Sequence, residues 1–84
     1  MRRNWENLPN SYFVGKFVNI GLAAYEPKLR AHIKELIWIK VTGSYGNWLV
    51  GEIDDEPRLR QDTKRGDVIL FAKQAIDKIL GVSE

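Results

Sequence analysis

The sequence predicts an α+β fold built on a small curled antiparallel sheet with a C-terminal helix. Three observations lead there. From Glu35 the pattern has a period of two, with Ile37, Ile39 and Val41 on one face, the turn-forming run "TGSYGN" ends it, and the last apolar residues recur at helical spacing. A sheet of so few strands can also close as an SH3-like barrel, and the sequence leaves these two forms open.

The first predicted strand is "SYFVGKFVNI" at residues 11–20, which is rich in aromatic and β-branched residues. Gly15 within it indicates a bulge or a close backbone approach. Residues 21–36 are ambiguous, and a short helix near 27–34 is one prediction for them. Pro27 suits a first helical position, and Leu29, Ile33 and Leu36 then share one stripe, which predicts a short helix; the alternative is a loop with basic side chains.

The central prediction is a hairpin between residues 35 and 54. Ile37, Ile39 and Val41 point to the core, and "WLVGEID" returns antiparallel. The apolar run 67–72 predicts a strand buried on both faces. "KQAIDKILG" then predicts the C-terminal helix, with the apolar positions Ala75, Ile76, Ile79 and Leu80.

A length of 84 residues predicts one domain spanning residues 1–84, with an N-terminal arm at 1–10 and a sheet-plus-helix core at 11–80. The chain has no Cys, so apolar packing must stabilise it without disulfides, and a homo-oligomer is expected as a supplement. The polar N-terminus lacks the apolar region of a secretory signal, and no apolar run approaches the ~20 residues of a membrane span. These features predict a cytoplasmic protein.

The net charge of +2 is too small to require a nucleic-acid partner. The charge is uneven, however. Residues 1–42 contain seven Lys and Arg against three Asp and Glu, and residues 43–84 contain six against eight. A modest basic face is therefore expected in the first half.

The second half of the chain resembles the YegJ-type bacterial domain of unknown function. The likeness covers roughly residues 35–80 and rests on short motifs: Glu35-Leu36-Ile37-Trp38, Gly51, the acidic turn Asp54-Asp55-Glu56-Pro57, Gly66-Asp67 and Ile76-Asp77. The chain departs from that pattern at Leu36, where the family tends to have His, and at Asp54 and Asp55, where it often has Asn. The resemblance implies a fold but no reaction. Related domains near toxin–immunity and phage–host conflict genes imply binding.

Catalytic chemistry finds little support in the sequence. The chain has one His and no Cys, and His32 lies off the apolar stripe of the predicted helix, where it faces solvent. The acidic turn can offer oxygen ligands to a hard cation, but Arg58 follows at once as a counter-charge. A solvated turn, in which Asp54 or Asp55 accepts backbone N–H bonds, is the favoured interpretation. We therefore predict a protein that is not an enzyme and has no metal or cofactor.

The predicted ligand-binding residues centre on the hairpin. Trp38 and Lys40 share one strand face and Trp48 begins the returning strand, which suits a nucleobase stacked on indole. Lys34, Lys40 and Arg30 can then meet phosphate, and Arg58 and Arg60 can donate to anionic oxygens. The alternatives are Trp side chains used as core and a solvated loop that its own carboxylates neutralise.

These observations predict a non-catalytic small binding protein. Its expected role is in phage or toxin defence conflict, where it sequesters a small anionic nucleotide-like ligand or blocks a partner protein. The alternative is a small-barrel nucleic-acid-binding protein.

Overall fold

A computed structural model of the chain describes residues 5–58 and 63–82. Its helical elements are short: a 3-10 helix at Trp5–Asn7, α1 at Asn10–Phe13, and a 3-10 helix at Lys73–Ala75. The strands are β1 (Phe17–Glu26), β2 (Ala31–Tyr45), β3 (Trp48–Ile53), β4 (Val68–Phe71) and β5 (Ile76–Ile79). They form one antiparallel sheet in the order β4-β3-β2-β1-β5, which confirms the predicted small antiparallel sheet. No helix in these residues is long and apolar enough to cross a membrane.

One face of the sheet carries the core. Strand β2 contributes Ile37, Ile39 and Val41, which are at most 1 % exposed, as the alternating pattern predicts. Phe13 of α1 belongs to the same cluster. The residues of the neighbouring strands that complete it are Val18, Ile20, Leu49, Ile53, Phe71, Ile76 and Ile79. Trp5 from the predicted N-terminal arm also lies in this cluster, with 9 % of its surface exposed.

The β2–β3 hairpin closes through the two residues Gly46 and Asn47. Gly46 has a φ of 60° at the first central position, which is the pattern of a type II′ turn and matches the twist of the flanking strands. The predicted hairpin is therefore confirmed, with a shorter turn than the run "TGSYGN" suggests. A register shift between Val41 and Gly43 leaves Thr42 as the extra residue of a bulge.

The predicted short helix near residues 27–34 is wrong. Residues 27–30 form a turn in which the Arg30 N–H donates to the Pro27 carbonyl at 3.2 Å, and β2 begins at Ala31. The pairing of ten residues of β2 with β1 stabilises the extended conformation more than a helix of one or two turns, which is marginal by itself, stabilises the helical one. That stripe buries little here, since Leu29 is 65 % exposed and Leu36 is 50 % exposed.

The predicted C-terminal helix is also wrong, because Lys73–Ala75 is a single 3-10 turn and Ile76–Ile79 is strand β5. The sequence misleads for a specific reason. Strand β5 pairs Ile79 with Val18 and Ile76 with Ile20, and a register shift accommodates Asp77 as an extra residue. Two core residues three positions apart therefore both face inward from a bulged strand, and their spacing imitates a helix.

Two strand predictions need smaller corrections. The strand predicted at 11–20 begins only at Phe17 and runs on to Glu26. Helix α1 occupies residues 10–13, and Gly15, with a φ of 89°, interrupts the extended backbone before the strand. The run 67–72 is not buried on both faces. Strand β4 lies at the edge of the sheet, and its outward residues Val68 and Leu70 are 65 % and 56 % exposed.

Candidate ligand-binding groove

The candidate site follows from the unequal lengths of two paired strands. Strand β2 has 15 residues and β3 has six, and their pairing covers only the part of β2 from Ile39 to Tyr45. Strand β1 pairs with β2 from Ala31 to Lys40 on the other side. Within the described part of the chain, residues 31–37 of β2 therefore have no strand neighbour on the β3 side.

The hydrogen bonds show which backbone groups face that side. Val41 exchanges bonds with the β1 side, where its N–H donates to the Lys16 carbonyl at 2.9 Å. The backbone groups of Trp38 face the β3 side, since its carbonyl accepts the Asp54 N–H at 2.9 Å. Because the direction alternates along a strand, the N–H and C=O groups of His32, Lys34 and Leu36 also face the β3 side. We call these three residues the open β2 edge.

A groove of about 520 Å³ runs beside this edge. It is bounded on one side by β2 and on the other by the turn that follows β3, and its lining residues are Lys34, Glu35, Leu36, Ile37, Asp55, Glu56 and Arg58. We call it the β2 groove. It is an open cleft that a peptide or an extended side chain can enter.

Two carboxylates hold the far wall of the groove in place. Asp55 accepts the Trp38 N–H at 3.2 Å with one oxygen and the Glu56 N–H at 2.8 Å with the other. Glu35 accepts the N–H of Arg58. The expectation that an Asp of this turn accepts backbone N–H bonds is confirmed for Asp55. The Glu-x-x-Trp motif and the acidic turn therefore act together as a clamp between β2 and the chain after β3.

Arg65 adds a second tie to the same turn. Its guanidinium lies 3.1 Å from Asp54 and 3.0 Å from Glu56. All three side chains are at least half exposed, so each pair stabilises the turn by at most about 1 kcal/mol. Their main effect is to balance charge on the rim of the groove.

The groove does not present a positive surface. Its lining includes three carboxylates, Glu35, Asp55 and Glu56, against the cations Lys34 and Arg58. A free anion in the groove lies close to the carboxylates of Glu35 and Asp55, which repel it. The lining therefore suits a ligand that brings its own hydrogen-bonding backbone or mixed charges.

The two tryptophans of the predicted platform lie at opposite ends of the hairpin. Trp38 is half-buried on the outer face, between Asn19 of β1 and Asp54. Trp48 begins β3, six positions before Asp54, a separation of roughly 20 Å along the strand at ~3.4 Å per residue. One ligand base cannot stack on both.

Trp48 is half exposed at a separate cavity of about 430 Å³, lined also by Asn10, Asn47, Ala72, Lys73 and Gln74. The Lys73 ammonium donates to the Leu8 carbonyl at 2.7 Å, so the cation beside Trp48 is engaged with the N-terminal segment.

The predicted cations are similarly divided. Lys34 and Arg58 both line the β2 groove. Lys40 lies on the outer face, opposite Glu52 and 5.9 Å above the Phe17 ring. Arg30 is exposed at the tip of the β1–β2 hairpin with a φ of 52°, and Arg60 lies outside the described residues.

Sequence reasoning missed the open β2 edge. The available signal was weak: Ile33 shares the face of Ile37 and Lys34 lies on the opposite face, but Glu35 and Leu36 interrupt the alternation. A strand that much longer than its hairpin partner must leave part of one edge unpaired by that partner. His32, expected to face solvent, is exposed, and its ring meets Tyr25 edge-on at 5.3 Å.

Comparison with known proteins yields no match. No protein-family model, curated protein or solved structure matches the chain. Among the described residues, no group of three or more His, Asp or Glu side chains is placed to hold a metal ion.

Proposed function

We propose that this protein is a small non-catalytic binding protein whose β2 groove holds a partner protein. One observation carries the proposal: the groove lies directly against the open β2 edge, whose backbone donors and acceptors have no strand partner among residues 5–58 and 63–82. A polypeptide can satisfy such groups in a repeating pattern. The clamp of Glu35 and Asp55 fixes the opposite wall and supports a preformed site.

A small anionic nucleotide-like ligand has less support. The groove carries more carboxylates than cations, and the two indoles are too far apart to form one platform. A nucleic acid, the further alternative, meets a chain of low net charge with an acidic turn at its groove. Binding through several phosphates weakens steeply with added salt, whereas binding through the groove backbone has a shallow salt dependence.

The proposal includes an SH3-like curl of the sheet. The curl is supported by the short connection through the 3-10 helix at Lys73–Ala75, which joins β4 and β5, the strands at opposite edges of the sheet. It also includes a cytoplasmic setting and a role in phage or toxin conflict, for which the YegJ-type resemblance is the support. Self-association is part of the same proposal, since β4 exposes Val68 and Leu70 at the edge of the sheet.

Replacing Leu36 with Asp tests the proposed function. We expect the variant to lose partner binding by about tenfold or more, because a charge replaces a half-exposed apolar contact in the groove. Stability should change little, since the side chain is half in solvent already. The measurement is affinity capture from cell extract with mass spectrometric identification of retained proteins, followed by titration of the purified partner.

The matched control is Tyr45→Ser, which alters a 73 % exposed aromatic residue at the distant hairpin tip. The proposed function predicts a protein that the unmodified chain and Tyr45→Ser retain and Leu36→Asp does not. Release of a small molecule instead of a protein, or equal retention by all three chains, contradicts it.

A further inference from the structure

Building on the proposed function, we propose that the partner segment binds as an added β-strand on the open β2 edge, with an acidic and an apolar side chain two residues apart. The proposal specifies both the binding mode and the chemistry of the ligand. The backbone groups of the edge determine the binding mode, and the outward side chains of β2 determine the chemistry of the ligand.

The backbone geometry favours an extended ligand. The N–H and C=O groups of His32, Lys34 and Leu36 face the same side, at intervals of about 6.8 Å. An antiparallel or parallel strand offers partners at that repeat, and exposed sheet edges are the usual place where proteins add a strand from another chain. The edge ends at Trp38, whose N–H and C=O already bond Asp55 and Asp54. An added strand therefore pairs from Leu36 outward.

The side chains of the edge define the sequence that fits. Lys34 is exposed and Leu36 is half exposed, and both point to the outer face because Ile37 and Ile39 point to the core. Residues directly opposite one another on neighbouring strands interact, and opposite charges or paired apolar side chains stabilise the pairing. The partner should therefore place Asp or Glu opposite Lys34 and an apolar residue opposite Leu36, with one residue between them.

Charge and existing backbone hydrogen bonds argue against a second copy of the chain in the symmetric registers centred on Lys34, Glu35 and Leu36. A symmetric antiparallel pairing centred on Lys34 opposes two ammonium groups, and one centred on Glu35 opposes two carboxylates. A pairing centred on Leu36 sets Lys34 against Trp38, whose backbone groups are already bonded. A heterologous segment with a single acidic residue opposite Lys34 avoids all three conflicts.

The test begins with a displayed library of random short peptides selected on the complete chain. We expect the enriched peptides to share an acidic residue two positions from an apolar one. They should bind Lys34→Pro at least about tenfold more weakly than Lys34→Ala, because both variants lose the ammonium group but only proline removes the edge N–H and blocks the approach of a strand with its ring. Proline is tolerated where the replaced N–H faces solvent, and circular dichroism checks that Lys34→Pro keeps its sheet.

A second measurement does not depend on the fold of any variant. N-methylation of a selected peptide at alternate amides should abolish binding at one set of positions and leave it intact at the other, because only every second amide faces β2. Loss at both sets, loss at neither, or enrichment of no peptide over a blank surface overturns the strand-addition proposal.

The two proposals fail differently. A captured partner that depends on Leu36 but binds Lys34→Pro as well as Lys34→Ala refutes strand addition and supports the binding function. Absence of any partner that depends on Leu36 refutes the binding function itself.

Discussion

Replacing Ile39 with Ala lowers the free energy of unfolding by about 2–5 kcal/mol, because it removes a fully buried branched side chain and leaves a cavity. Ile39 is 0 % exposed. It lies opposite Val18 of β1 and opposite Ile53 of β3, so its side chain packs across three adjacent strands. A chain of this size has a small total stability, of which this loss is a large part.

Urea denaturation followed by tryptophan fluorescence and circular dichroism measures the effect. The matched control is Leu70→Ala, which removes an aliphatic side chain that is 56 % exposed on edge strand β4. We expect Leu70→Ala to change the free energy of unfolding by less than about 1 kcal/mol. Equal losses for the two variants would place Leu70 in the core and contradict the arrangement of strands.

Replacing Gly51 with Ala destabilises the protein by about 1–3 kcal/mol or more, although it adds only a methyl group. A Cβ at this position would lie 2.3 Å from Cγ2 of Ile39 and 3.1 Å from both the Lys40 carbonyl and the Phe71 ring. The close approach of β2 and Phe71 to this position of β3 explains why the chain has glycine here. Thermal and urea unfolding of Gly51→Ala give the magnitude.

A double-mutant cycle identifies the cause. Ile39→Leu removes the branch at Cβ and with it the atom nearest to the added methyl group. The double variant Ile39→Leu/Gly51→Ala should therefore be more stable than the sum of the single changes predicts, by about 0.5–3 kcal/mol. Strict additivity would show that a different contact sets the requirement for glycine.

The sequence predicted the β2–β3 hairpin because its pattern and its turn residues agree. Alternation places Ile37, Ile39 and Val41 on one face, and Gly46 supplies the conformation that the turn needs. Local pattern and tertiary pairing point to one structure in this segment, so periodicity was a sufficient guide.

The two helix predictions failed where tertiary pairing overrides local spacing. The stripe through Ile33 competes with ten pairs between β1 and β2. The i, i+3 spacing of Ile76 and Ile79 arises from a bulge, and the bulge exists only because β5 pairs with β1, which is distant in sequence. No local pattern contains that pairing.

The site was predictable in part. Lys34 and Arg58 were selected for their charge, and both line the β2 groove. The predicted platform of Trp38 and Trp48 for a stacked nucleobase fails because the distance between the two indoles depends on strand register, which composition does not determine. The open β2 edge is a property of backbone groups that have no strand partner within the described residues, so residue types alone could not reveal it.

The central claim is that His32, Lys34 and Leu36 of β2 direct their backbone groups to a side where no strand of the described part of the chain pairs with them. Amide hydrogen exchange of the dilute protein, resolved by residue with NMR, tests it most directly. We predict an alternating pattern in which the N–H groups of Lys34 and Leu36 exchange fast, while those of Glu35 and Ile37, which face β1, exchange slowly. Uniform protection or uniformly fast exchange across these four residues would contradict the open edge and the binding site built on it.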